Sequence, residues 1–175
     1  MMKTDILPTD RTYKVLAIAR DVATFEGCEI ILPIHLLHGL LLERDGIAGT
    51  VLASVEIQAE NELREAINYP SSKEYETWRK CGIREVPLLS GPAKLVYESA
   101  AQEGRDLFQK MLPTSWPYKD NAWPYIGTEH LLLGLLNVPE SSAYQYLETK
   151  MNEKGLKPIH MRDVTLNLIF GPSRE

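Results

Sequence analysis

One segment occurs twice in this chain of 175 residues. Residues 33–41 read PIHLLHGLL and residues 128–136 read TEHLLLGLL, so the histidine and the glycine return after 95 positions. Upstream, Val15 and Ala19 match Val96 and Ala100 at a spacing of 81, which places 14 additional residues between the first two helices of the second copy. A unit of this size cannot easily bury its own apolar stripe, whereas two copies can close one core between them. The repeat therefore predicts a helical domain whose halves are related by a pseudo-twofold axis.

The spacing of apolar residues within each copy predicts helices and shows no convincing strand pattern. Asp10 is the expected N-cap of the first helix, Gly27 its expected end, and Pro33 suits the first turn of the second helix. Helices are expected over residues 11–25, 33–43, 47–55, 59–67, 93–109, 128–136, 142–151 and 160–169. The expected fold class is all-α, with two tandem four-helix repeats. Repeat 1 spans residues 10–68, a connector spans 69–90, and repeat 2 spans 91–171.

The additional residues of the second copy form an insertion, residues 105–123, that is rich in aromatic residues and prolines. It contains Trp116 and Trp123, and its prolines, Pro113 and Pro117, exclude one continuous helix through it. Two indole rings in a loop either pack as a lid over the helices or form an exposed contact site. Because rigid aromatic side chains often anchor protein contacts, we expect Trp116 or Trp123 to contribute to the choice of partner.

Composition excludes several classes of function. The chain is 44% hydrophobic and 25% charged, which is typical of a globular protein, and its net charge of −5 argues against nonspecific binding to nucleic acid. No secretion signal is recognisable, and the longest apolar run, residues 30–42, is too short to cross a bilayer. Cys28 and Cys81 lie far apart and are expected to remain thiols in a reducing compartment. We therefore expect a cytoplasmic protein that binds neither nucleic acid nor membranes.

The second copy carries a motif that points to a known family. Residues 125–136, which read YIGTEHLLLGLL, resemble the signature of the Clp N-terminal domain, and residues 93–98 are similar to the opening of that family's second repeat. The domain is a double-repeat, all-helical module at the front of ClpA- and ClpC-type AAA+ unfoldases, and the resemblance covers residues 10–171. No Gly-x-x-x-x-Gly-Lys-Ser/Thr phosphate loop occurs in the sequence, so P-loop binding of ATP is not expected. The resemblance implies a stand-alone, non-enzymatic module that binds Clp unfoldase or protease subunits, adaptor proteins or client proteins.

The resemblance also implies a binding site at the start of the motif in the second copy. In ClpC-type members the glutamate of the Thr-Glu-His motif takes part in reading phosphoarginine, which gives this role to Glu129, while backbone amides hold the phosphoryl group. The residues alone leave a structural explanation open, in which Thr128 caps its helix, Glu129 suits the helix dipole and His130 meets a buried polar partner. In the first copy, Pro33 and Ile34 replace the threonine and the glutamate, so the equivalent site has lost both the hydroxyl and the carboxylate.

No constellation of residues predicts catalysis, a metal or a cofactor. His35 and His38 could share a helix face, but no third and fourth ligand is placed to complete a metal site, so we expect both in the core or in hydrogen bonds between helices. No Cys–His–carboxylate arrangement accompanies Cys28 or Cys81. A second class of function stays open, namely a stand-alone protein that holds phosphoarginine or a small hydrophobic molecule in the groove between the repeats.

Overall fold

The computed structural model describes residues 6–59, 61, 88–111 and 124–171. The helices within these residues are, in chain order, α1 (Asp10–Phe25), α2 (Pro33–Leu42), α3 (Ile47–Ser54), α4 (Gly91–Met111), α5 (Thr128–Leu136), α6 (Ser142–Asn152) and α7 (Pro158–Phe170). The prediction of an all-α fold is confirmed. The helix expected over residues 59–67 falls outside the described residues except for positions 59 and 61, and most of the connector lies outside them as well.

The first helix begins one residue earlier than expected because Thr9, and not Asp10, is its N-cap. The Thr9 hydroxyl accepts a hydrogen bond from the Thr12 amide at 3.2 Å. At the other end Gly27 follows the C-cap residue with a φ of +74°, a conformation that favours glycine, so the predicted end of the helix is confirmed. Pro33 is the first residue of α2, as predicted.

Three helices share a histidine at their third position that caps the helix. In each case Nδ1 of the ring accepts the backbone N–H of the N-cap residue, which is half of a capping box. The pairs are Leu32 to His35 at 3.1 Å, Gly127 to His130 at 2.9 Å and Lys157 to His160 at 2.8 Å. The ring of His35 is fully buried and its Nε2 lies 3.0 Å from the Glu26 carboxylate, so His35 has the core role that the sequence predicted.

Each repeat packs its first two helices against each other through a glycine. A Cβ atom on Gly39 of α2 would lie 2.6 Å from the carbonyl oxygen of Val15 in α1. A Cβ atom on Gly134 of α5 would lie 2.5 Å from the carbonyl oxygen of Val96 in α4. Gly39 and Gly134 are 95 residues apart, and Val15 and Val96 are 81 residues apart. Equivalent residues of the two copies therefore make equivalent packing contacts.

Two short parallel β-bridges join the repeats. The strand β1 (Leu7–Pro8) pairs with β2 (Tyr125–Ile126), and Ile31 forms an isolated bridge with Leu89. The sequence showed no strand pattern, so these short bridges were not predicted. Segments of one or two residues are too short to produce the alternation of apolar and polar residues that indicates a strand.

The two bridges are reciprocal. The Thr9 amide donates to the carbonyl of Ile126, and the Ser90 amide donates to the carbonyl of Ile31, both at 2.9 Å. Thr9 and Ser90 are 81 residues apart, and Ile31 and Ile126 are 95 residues apart. Each repeat thus makes the same bond to the other, as a pseudo-twofold axis requires.

The core lies between the repeats. Helix α2 packs on α6, and its counterpart α5 packs on α3, which is again a reciprocal arrangement. The leucines of the repeated motif are completely buried at the centre, namely Leu36, Leu37, Leu40, Leu131, Leu132 and Leu135. Burial of these side chains from both copies stabilises the domain as one unit, because neither repeat could remove them from water alone.

Candidate functional site

The N-termini of three helices meet where the repeats join. Helices α1 and α3 of repeat 1 and helix α5 of repeat 2 line an open cleft of about 400 Å³. The lining residues are Thr9, Asp10, Arg11, Asp45, Gly46, Ile47, Gly127, Thr128 and Glu129. The amides at a helix N-terminus carry partial positive charge, so the cleft combines three such ends with charged side chains of both signs. Thr128 and Glu129, the motif residues selected from the sequence, both lie in it.

Glu129 is buried with no hydrogen-bond donor among the described residues. Only 9% of its side chain is exposed, and its Oε1 lies 3.7 Å from Nδ1 of His130. That nitrogen accepts the Gly127 N–H at 2.9 Å and therefore has no proton to donate to the carboxylate. The carboxylate folds over Gly127, where any Cβ atom would collide with it. The carboxylate borders the open cleft, so its oxygens have free capacity to accept hydrogen bonds from solvent or another donor.

Thr128 does not cap its own helix, which corrects the expectation from the sequence. The N-cap of α5 is Gly127, and Thr128 is the first helical residue. Its hydroxyl instead accepts the Ala48 amide of α3 at 3.4 Å, across the junction between the repeats. The N-cap of α3 is Gly46, and a Cβ atom there would lie 2.5 Å from the Thr128 hydroxyl oxygen. Thr128 therefore caps α3, whose own N-cap residue has no side chain with which to do so.

Glu43 is a buried carboxylate beside the cleft that sequence reasoning missed. Only 1% of its side chain is exposed, and its Oε2 accepts the Gly46 amide at 3.0 Å. Its Oε1 lies 3.3 Å from Nη1 of Arg11 and 3.7 Å from Nζ of Lys14. The Arg11 side chain, 53% exposed, lies also 3.8 Å from Asp45. Glu43 thus caps α3 and holds a guanidinium group at the edge of the cleft.

The groups behind the cleft are held in defined protonation states. Burial lowers the pKa of His130, although the negative charges of Glu129 and Glu103 oppose this effect. Burial alone would raise the pKa of Glu103, but hydrogen bonds from Arg162 and Asn137, both at 2.8 Å, and the charge of Arg162 outweigh burial and hold that pKa below its ordinary value. The neutral His130 ring is therefore favoured near neutral pH, which preserves the cap on α5.

The tryptophans that the sequence selected for partner choice, Trp116 and Trp123, lie outside the described residues. The insertion begins inside a helix, since residues 105–111 are the last turns of α4. Beyond the insertion, the half-exposed Tyr125 has its ring centroid 5.4 Å from that of His130 and lies two residues before Gly127 of the cleft. A role for the tryptophans stays a prediction.

The other residues considered in the sequence show no further site in the described part of the chain. His38 has its Nδ1 atom 3.8 Å from Glu26 and its ring edge-on to Tyr146. Cys28 is a half-buried free thiol, whereas Cys81 lies outside the described residues. Within residues 6–59, 61, 88–111 and 124–171, no three histidine, cysteine or acidic side chains are grouped closely enough to hold a metal ion. The same residues contain no helix with the length and apolar character needed to cross a bilayer.

The fold and the cleft define a class of protein, a double-repeat α-helical domain with an open cleft at the junction of its repeats. The family model described as the Clp repeat (R) N-terminal domain matches residues 7–111, more than half of the chain. The chain belongs to this Clp N-terminal domain family, as its repeated motif predicted.

Similar proteins include subunits much longer than this chain. The probable ATP-dependent Clp protease ATP-binding subunit of Chlamydia pneumoniae is 31% identical over 171 residues, which cover 94% of this chain and 18% of that protein. The chaperone protein ClpB of Oceanobacillus iheyensis is 29% identical over 165 residues, which cover 92% of this chain and 17% of that protein. The chain therefore spans less than a fifth of the length of these relatives.

A solved structure shows the same fold. The N-terminal domain of the caseinolytic protease associated chaperone ClpD from Arabidopsis thaliana matches 93% of this chain and 96% of its own, with a TM-score of 0.52 and 18% identity. Similarity at this level of identity concerns the all-α fold alone.

Proposed function

We propose that this chain is a non-enzymatic binding module of the Clp chaperone–protease system. It binds client or adaptor proteins, or acts as an accessory factor that docks on Clp unfoldase and protease subunits. Membership of the Clp N-terminal domain family supports a Clp-related module, and the named relatives are an ATP-binding protease subunit and a chaperone. From the sequence we also predict a cytoplasmic location, no nucleic-acid or membrane partner and no cofactor.

The observation that carries the proposal is the buried carboxylate of Glu129, which lines a cleft open to solvent. A guanidinium group presents its N–H donors in a planar fork that matches a carboxylate, and such charge-assisted pairs are among the stronger hydrogen bonds of proteins. An arginine side chain of a client or adaptor would therefore supply both the charge and the donors that Glu129 lacks within the described residues.

The cleft contains groups that could contact both parts of phosphoarginine. Phosphoarginine joins a guanidinium group to a phosphoryl group, and the cleft offers Glu129 for the first and Arg11 with three helix N-termini for the second. Four charged side chains line the cleft, Asp10, Arg11, Asp45 and Glu129. The class of ligand that we propose is therefore an arginine-phosphorylated protein segment.

Calorimetry with a synthetic peptide that carries one phosphoarginine tests this site. The wild-type chain is expected to bind it, and Glu129→Gln, which keeps the shape of the side chain and removes its charge, is expected to weaken binding at least about tenfold. The matched control is Glu140→Gln, because Glu140 is exposed and lies outside the cleft. Equal affinities of the wild type and Glu129→Gln would refute the assignment of the site.

Capture of purified partners tests the wider role. The immobilised chain is expected to retain the ClpC-type unfoldase or ClpP of the same organism, and we expect Trp116→Ala or Trp123→Ala to reduce that retention without changing the helical content. Retention in the absence of phosphoarginine binding would favour docking over ligand reading. Failure to bind both the peptide and the Clp subunits would count against the whole proposal.

A further inference from the structure

His130 has a carboxylate beside the same ring nitrogen that caps its helix. Its Nδ1 atom accepts the Gly127 N–H at 2.9 Å and lies 3.7 Å from Oε1 of Glu129. His35, the matching residue of repeat 1, also caps its helix through Nδ1, but its carboxylate partner lies at the other ring nitrogen, with Nε2 3.0 Å from Oε2 of Glu26. In repeat 2, one nitrogen therefore faces a donor and an acceptor at once.

The proton of His130 decides which of these two groups Nδ1 can bind. The neutral ring with its proton on Nε2 accepts the Gly127 N–H at Nδ1. A protonated ring carries a hydrogen on both nitrogens, so Nδ1 can no longer accept and can only donate, for which Glu129 is the carboxylate in place. Only 5% of the His130 side chain and 9% of the Glu129 side chain are exposed. Opposite charges attract more strongly in such a buried position than in water.

Gly127 makes room for the Glu129 carboxylate because it has no side chain. A Cβ atom on Gly127 would lie 2.5 Å from Cδ and from Oε2 of Glu129, and closer still to Oε1. The backbone of Gly127 is extended, with φ −88° and ψ 175°, a conformation that any residue adopts. The position of the carboxylate, and not the backbone, therefore requires a glycine here.

The second carboxylate that acts on His130 comes from α4. Glu103 favours the protonated ring through its negative charge, as Glu129 does. The Glu103 carboxylate already accepts hydrogen bonds from Asn137 and from Arg162 of α7, both at 2.8 Å. On the remaining side, the ring centroid of Tyr125 lies 5.4 Å from that of His130. Glu129 is therefore the carboxylate that a protonated ring meets on the side of the cleft.

The other helices that pack on α5 hold their charges in contacts of their own. Helix α3 has no titratable side chain, and the two histidines of α2 lie beside Glu26. Helix α1 brings Asp10 and Arg11 to the cleft, and Arg11 lies 3.3 Å from Glu43. On α6, Lys150 lies 3.6 Å from a glutamate of the same segment. The electrostatic partners of the buried imidazole are thus the carboxylates of α4 and α5.

We infer that a proton on His130 and a cationic group of the ligand compete for the Glu129 carboxylate, so that the cleft binds its ligand near neutral pH and releases it in acid. The inference rests on the proposed function, in which the cation is a guanidinium group of a client or adaptor. Burial lowers the pKa of His130, so the neutral ring predominates near neutral pH and the proton is taken up in acid. Because the two binding events are linked, each weakens the other by the same factor.

NMR titration of the ligand-free chain tests the exchange of hydrogen bonds. The amide signal of Gly127 and the ring signals of His130 are expected to shift together, with one midpoint below pH 6.5, because the amide loses its acceptor. Glu129→Gln removes the charge that favours the protonated ring and is expected to lower the midpoint. A Gly127 signal that stays in place while the ring titrates would overturn the inference. A wild-type chain whose circular dichroism is lost before His130 takes up its proton would overturn it as well.

Calorimetry with a peptide that carries one arginine tests the competition. Its guanidinium group stays charged throughout the titration, whereas a phosphoryl group would itself take up a proton in this range. The wild type is expected to bind it at least about fivefold more weakly at about pH 5 than at about pH 7.5. His130→Gln keeps an acceptor for the Gly127 amide and takes up no proton, so its affinity should not change with pH. The matched control is His160→Gln, since the exposed His160 caps α7 in the same way, and this variant should keep the wild-type dependence on pH.

The outcomes separate the inference from the proposed function. Equal affinities of the wild type at the two pH values would overturn the inference and leave the proposed function standing. The same fall in His130→Gln as in the wild type would also overturn it, because another group would then carry the effect. If the arginine peptide does not bind at neutral pH, the inference fails, and binding of the phosphoarginine peptide alone decides the proposed function.

Discussion

Replacing Gly134 by alanine should destabilise the domain, although alanine is the better helix former. Gly134 lies inside α5, where the intrinsic preference for alanine over glycine is worth roughly 1 kcal/mol. The added Cβ atom, however, would lie 2.5 Å from the carbonyl oxygen of Val96, 2.8 Å from the backbone nitrogen of Ala100 and 3.0 Å from its Cβ. Two of these three atoms belong to the backbone of α4, which cannot move aside as a flexible side chain could.

The net effect follows from the two opposing contributions. Forcing a methyl group into a packed core costs about 1–3 kcal/mol, and a collision with backbone belongs at the upper end of that range. After the gain in helix propensity is subtracted, we expect Gly134→Ala to lose about 1–2 kcal/mol in the free energy of unfolding. In a chain of this length such a loss lowers the Tm by about 2–8 °C.

Urea unfolding followed by circular dichroism measures this loss. Gly39→Ala is the counterpart variant, since its Cβ atom would lie 2.6 Å from the Val15 carbonyl oxygen, and it should lose a similar amount. Gly91→Ala is the control, because a Cβ atom there meets nothing within 4 Å, and it should be neutral or slightly stabilising. A Gly134→Ala variant as stable as the wild type would refute the idea that direct backbone contact joins these helices.

Substitutions at three further residues test the junction of the repeats. Thr128→Val removes the hydroxyl that accepts a hydrogen bond from the Ala48 amide and is expected to lower the free energy of unfolding in urea by about 1 kcal/mol. Thr128→Ser keeps the hydroxyl and should lower it little. Equal stabilities of the two variants would contradict the cap across the junction. Glu43→Ala leaves the buried Gly46 amide without its acceptor and Arg11 without its nearest partner, so a loss of about 2–3 kcal/mol is expected in thermal unfolding, and an unchanged Tm would exclude this role. Burial lowers the pKa of His130 below its ordinary 6.5, so the unfolded chain binds this proton more readily than the folded chain does. The stability that neutral His130 contributes is therefore present above pH 6.5 and is lost as the pH falls below it. His130→Gln, which keeps an acceptor for the Gly127 amide, should therefore flatten the fall of the Tm between about pH 7 and pH 5, and a slope equal to that of the wild type would contradict this account.

The helices could be predicted from the spacing of apolar residues, because these residues are the ones that pack against neighbouring helices. Helix α5 begins and ends at the predicted residues, Thr128 and Leu136, and α2 and α6 differ from prediction by one residue at one end. The N-cap of α1 was misassigned because Thr9 and Asp10 are both good capping residues, and the sequence does not distinguish which of them has extended backbone.

The cleft was only partly predictable, because it is formed by three segments that lie far apart in the chain. The motif identified Thr128 and Glu129, but it contained nothing to show that Thr128 would cap α3 in the other repeat. Glu43 was missed because acidic residues are usually exposed, and its burial depends on Arg11 and on the Gly46 amide. A signal for Glu43 existed in its position three residues before a glycine that begins a helix, where a carboxylate can accept the free amide.

We propose that Glu129, in the cleft at the junction of the two repeats, receives a guanidinium group. A crystal structure of the chain with an arginine-phosphorylated peptide is the direct test. We expect a guanidinium nitrogen about 2.7–2.9 Å from the Glu129 carboxylate, with the phosphoryl group beside Arg11 and the helix N-termini. A peptide bound elsewhere on the domain, with the Glu129 carboxylate still buried and without a donor, would contradict it.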